Sequence, residues 1–135
     1  MENINFLALI AGAVVPMVIG FIWYGPIFGK AWQNSLGMSD EDVQSGNMPV
    51  IFGISFLVAM VFSYYLYRYV GYHPEEEQTF THSAFHGAQI ALMTAVPVLI
   101  SNSLFEKKNW TNILINASYW TLTFAIIGGV MSLFY

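Results

Sequence analysis

Four apolar stretches alternate with polar ones along the chain, and the spacing is uneven. Residues 6–24, 49–67, 82–105 and 110–134 each come close to or exceed the roughly 20 apolar residues that an α-helix needs to cross a hydrocarbon core of about 30 Å. Between the first two, GPIFGKAWQNSLGMSDEDVQSGNM is too polar to cross. There Ser39 followed by Asp42 has the spacing of a capping box, which predicts a short helix lying along the membrane surface. FEKKN leaves room only for a tight turn, so the third and fourth spans must be antiparallel neighbours. Pro16 and Pro97 fall inside the first and third spans, where each removes a backbone donor and predicts a kink. The expected fold is all-α: an integral membrane four-helix bundle forming one domain over 1–135, with a short interfacial helix in the first loop.

Composition agrees with this pattern and narrows the function classes. Of the 135 residues, 56% are hydrophobic and 9% charged, where a soluble domain is about a quarter charged. The lipid bilayer is therefore the first partner, and a net charge of −4 spread over loops argues against nucleic acid. Cysteine is absent, which removes disulfides, thiolate nucleophiles and Cys-ligated metals together. The N-terminus MENINFLAL lacks a basic n-region and a small-residue cleavage site, so the first stretch reads as an uncleaved span. Lys30, Lys107 and Lys108 lie in the first and third loops, against Arg68 alone in the second. The positive-inside rule then places both termini outside. Trp23, Tyr24, Trp32 and Trp110 mark one interface; Tyr65, Tyr67, Tyr69, Tyr72 and Tyr135 mark the other.

Two constellations carry candidate chemistry. In the fourth span Asn112, Asn116, Tyr119 and Thr123 fall at i, i+4, i+7 and i+11, one stripe on one helix face. Such a stripe either joins helices through ordinary interhelical hydrogen bonds or lines a solute site or hydrated path. Asn116 in particular is expected against protein, either the third helix or a symmetry mate, because lipid cannot satisfy its amide. Ser101, Asn102 and Ser103 add polar groups at the same level, and Glu106 reads either as a cap on the fourth helix or as an acceptor at the mouth of the seam.

His82 and His86 lie at i and i+4 on the third span, with Gln89 on the same face. Two imidazoles at that spacing can share a divalent metal, the one cofactor this chain suggests. A zinc site normally takes three or four ligands, and the nearest further candidates are Glu75, Glu76 and Glu77. The alternative is two interfacial rings, each hydrogen bonded. With no nucleophile and no complete ligand set, an enzyme is not expected.

WYGPIFGKAW at 23–32, HSAFHG at 82–87 and LFEKKNWTNILINASYW at 104–120, with Gly128 beyond, resemble the bacterial membrane family catalogued as domain of unknown function 1761. The resemblance spans nearly the whole chain. It implies four transmembrane helices in a bacterial envelope and offers no established activity, cofactor or catalytic residue; the expected location is the inner membrane. The leading functional expectation is passage of a small solute or ion by a homo-oligomer, the partner molecule being unknown. A structural or accessory membrane protein is the alternative, and a metal- or ligand-binding protein using His82 and His86 the third.

Overall fold

The computed structural model describes residues 4–135. Its helices are α1 (Phe6–Ile22), α2 (Gly29–Leu36), α3 (Asp40–Gln44), α4 (Met48–Gly71), α5 (Phe80–Met93), α6 (Ala95–Phe105) and α7 (Trp110–Met131), and no strand occurs among the described residues. Four stretches are long and apolar enough to cross a membrane: Phe6–Ile27, Met48–Gly71, Phe80–Phe105 and Trp110–Phe134. The all-α bundle expected from the hydropathy pattern is therefore the fold.

Two of the spans are interrupted, each four residues before a proline. α5 stops at Met93 and α6 resumes at Ala95, with Thr94 out of helical geometry at φ −126° and ψ −72°. Pro97 cannot donate to the Met93 carbonyl, and its ring crowds that oxygen, so the ladder breaks there. Likewise α1 gives way after Ile22 to a wide π turn, Trp23–Ile27, with Gly25 at φ −102° and ψ −105° and Pro26 beside it. Pro16, expected to kink the first span, lies within a continuous α1.

The first loop is more ordered than its composition suggests. α2 was not expected; it ends on Gly37 at φ 66°, with Met38 N–H donating to Gln33 O (3.1 Å) and Gly37 N–H to Asn34 O (3.2 Å). These two bonds form a Schellman stop, which needs a residue free to enter the left-handed region. α3 opens with the capping box: Asp42 N–H donates to Ser39 Oγ (3.1 Å) and Ser39 N–H to Asp42 Oδ2 (2.7 Å). The tight turn after α6 brings α7 back antiparallel, with Lys107 at φ 57°.

α7 is the central element, packing on α1, α4, α5 and α6, and on α2 at its N-terminal end. Ala8, Leu9, Leu66, Val70, Ala91, Phe124, Ile127 and Met131 form the core. Its tightest crossing is α5 on α7. A Cβ at Gly87 would overlap the Phe124 carbonyl, and one at Gly128 would overlap the Ser83 carbonyl, so only glycine lets the two backbones meet. On the opposite side Phe6, Leu7, Ile10, Val14, Val18 and Phe21 make an exposed apolar stripe on α1, the surface a bilayer covers.

Candidate functional site

The asparagine stripe faces inward, and its partners come from the first span and first loop. Asn112 is buried and donates from Nδ2 to Ser35 Oγ at 3.1 Å, while Asn116 Nδ2 donates to Asn112 Oδ1 at 3.1 Å. Tyr24 OH in turn donates to Asn116 Oδ1 at 2.5 Å. A single chain of hydrogen bonds thus runs from Tyr24 through both amides to α2. Nearby, Trp23 Nε1 donates to Ile115 O (3.1 Å) and Tyr119 OH to Pro16 O (2.9 Å). Asn116 is protein-bound as expected, but through Tyr24 and its own helix, not the third span.

These bonds explain why the turn at Trp23–Ile27 has its shape. A straight continuation of α1 would carry residues 23 and 24 on along the helix, whereas the π turn widens the backbone beside α7. Tyr24 then packs edge-on to Trp32 and tilted on Tyr119, at ring separations of 5.4 and 5.0 Å. Bulky rings in this layer hold the helices apart. Between α1, α2, α4 and α7, with Val43 of α3 and Ser103 of α6 at its edges, they leave a cavity of about 740 Å³ lined by Tyr24, Trp32, Asn112, Asn116, Tyr119 and Trp120 and open along the side where Phe21, Ile51, Phe52 and Ile54 are exposed. On α1 and the π turn that follows it the wall runs from Pro16 to Tyr24, and on α4 from Met48 to Phe62. The terminal halves of both helices lie outside it. Glu106 and Lys108 stand at the loop-side rim. The walls are otherwise largely apolar and aromatic, with the asparagine chain as their one continuous polar strip.

Glu106 does not cap α7, because Asn109 does, accepting from Asn112 N–H at 2.9 Å. Ser103 is buried on the cavity wall, whereas Ser101 and Asn102 are exposed. Thr123 is fully buried, with its hydroxyl unpaired beyond the cavity floor, although close enough to the Tyr119 phenol to interact with it. Trp120 is held by the rings of Phe62, Tyr119 and Phe124.

The histidines form a second cluster, at the opposite end of the bundle. His82 Nε2 and His86 Nε2 lie 3.0 Å apart, and Gln89 stands beside His86. His73, which the sequence reading did not include, joins them from just after α4, so all three histidines converge. Glu77 Oε2 lies 3.7 Å from His82 Nε2. Nothing in the spacing of residue 73 pointed to this, because the intervening turn at Glu75–Glu77 sets its position.

Comparison with known proteins matches residues 7–132 to a family described as protein of unknown function (DUF1761). The chain belongs to that family. No curated protein and no solved structure matches the chain. DUF1761 membership covers every element of both clusters and assigns a role to neither.

Proposed function

We propose that the protein binds a small, mainly apolar molecule bearing a hydroxyl, phenol or amide group, as the bound state of its passage across the membrane. One observation carries this reading: the cavity of about 740 Å³ has the Tyr24–Asn116–Asn112 hydrogen-bond chain on its wall. That volume is in the range of small-molecule sites, which pair apolar walls with a few placed polar groups. Aromatic rings suit an apolar body, and a tyrosine–asparagine pair suits a group that can both donate and accept. The cavity reaches about half-way along α1 and α4, so complete passage requires the packed terminal half to open, or a second copy of the chain to extend the path. Homo-oligomers in a bacterial inner membrane, with both termini periplasmic and the Lys30 and Lys107 loops cytoplasmic, complete the proposal.

Tryptophan fluorescence tests the site, with 4-bromophenol as probe and quencher. The protein in nanodiscs should show saturable quenching, since Trp32 and Trp120 line the cavity, and Asn116→Leu should lose the saturable component. Linear quenching that is identical in both proteins, as from partition into lipid, would sink the proposal. Orientation is checked separately, because a chain without cysteine accepts unique labels. A cysteine added after Tyr135 should react with an impermeant maleimide on intact cells, and Ser45→Cys should not. The reverse pattern inverts the topology.

A further inference from the structure

We propose that His73, His82 and His86 form a binding site for a divalent transition metal, with Glu77 as the fourth ligand. One ligand nitrogen from each histidine lies within 4.8 Å of the other two. Two imidazoles on a tetrahedral zinc hold their nitrogens about 3.3 Å apart, because each Zn–N bond is about 2.0–2.1 Å. The 3.0 Å between His82 Nε2 and His86 Nε2 and the 3.7 Å between His82 Nε2 and Glu77 Oε2 bracket that separation. Small ring movements therefore close the set around one ion.

The second layer orients the rings as metal ligands need. His73 Nδ1 lies 3.0 Å from Tyr69 O, and a carbonyl only accepts, so Nδ1 carries the proton and Nε2 is left with its lone pair. A ligating histidine characteristically gives its other N–H to a carbonyl in this way. His86 Nδ1 faces the Tyr69 hydroxyl at 3.4 Å, leaving Nε2 turned toward His82. One residue, Tyr69, thus sets two of the three rings.

Imidazole ligands without thiolate suit zinc, copper, nickel or iron in preference to magnesium or calcium. Glu77 supplies one negative charge and comes from a one-turn 3₁₀ segment, Glu75–Glu77, whose position at the loop allows it to swing in. The site straddles the boundary between the α4–α5 loop and the start of the third span, and His82 is half-exposed there. An ion could therefore enter from water without crossing lipid. It would fasten the C-terminal end of α4 to the first turns of α5.

The test uses full-length protein without an affinity tag, stripped with EDTA and titrated with Co²⁺ and then Zn²⁺. One Co²⁺ per chain should bind, with the intense visible absorption of a four-coordinate site, and Zn²⁺ should displace it. His73→Ala should weaken Zn²⁺ binding at least about 100-fold and Glu77→Gln at least about 10-fold, because even the hydrogen-bond partners of metal ligands are worth about 10- to 100-fold. Wild-type protein that takes up no Co²⁺, or a His73→Ala variant with unchanged affinity, overturns the proposal. Should His73→Ala fail to fold, X-ray absorption on the zinc-loaded wild type decides. Three imidazoles in the shell support the site, and fewer than three overturn it.

Discussion

Toward the termini, α7 meets α5 with nothing between their backbones at Gly87 and Gly128, whereas toward the first and third loops the same helix carries Asn112, Asn116, Tyr119 and Trp120 and keeps its neighbours apart. The difference is one of side-chain size at successive turns of a single helix. Small residues let dispersion and backbone contact do the packing. Large, partly polar ones prop α1, α2 and α4 away and leave room that hydrogen bonds then organise. The lesson is that one bundle can be dense at one end and hollow at the other.

The sharpest way to break this comparison is at its dense end. Gly128→Leu drives a branched side chain into the Ser83 carbonyl of α5, and overpacking of this kind costs about 3 kcal/mol or more where backbone must move. Its melting temperature in detergent should fall furthest among the substitutions considered, and a variant that melts like wild type would show the crossing to be looser than described. At the hollow end the expected loss is smaller. Asn116→Leu removes the acceptor of Tyr24 and the donor to Asn112 and should cost about 0.6 to 2 kcal/mol, the range for membrane hydrogen bonds. A double-mutant cycle with Tyr24→Phe sharpens the point, since independent effects would mean the pair is not coupled.

The smallest effect lies outside the membrane. The backbone N–H and then the hydroxyl of Ser39 hold the Asp42 carboxyl below the usual carboxylate range. A depressed value in the fold means that the capping box contributes above the ordinary carboxylate pKa of about 3.9 and is lost as pH falls through the lowered one. Carboxyl ¹³C shifts of Asp42 followed between about pH 6 and 2 should give a midpoint below 3.9, which Ser39→Ala moves partly back.

What the sequence disclosed follows the range of each interaction. Spans, the Ser39–Asp42 box and the turn at Lys107 depend on residues a few positions apart, and hydropathy or spacing reveals them. The inward stripe of α7 was legible for the same reason, and so was the His82–His86 pair. Its partners were not, because Tyr24 reaches Asn116 across 92 positions and Ser35 reaches Asn112 across 77. Helix α2 did leave a local sign, glycine just past Leu36, which the polar composition of the loop obscured. His73 lacked even that, since its approach depends on how the Glu75–Glu77 turn folds back.

Those same separations set an order of events during synthesis. The histidine cluster draws only on residues 69–86, so it can close once α5 leaves the ribosome. The asparagine seam must wait for residues 109–119, with α1 and α2 already made and unpartnered on that side. Loop closure over such distances is slow, and N-terminal segments emerge first. A chain stalled before α7 would therefore leave Tyr24 and Ser35 without the partners that Asn109, Asn112 and Asn116 supply.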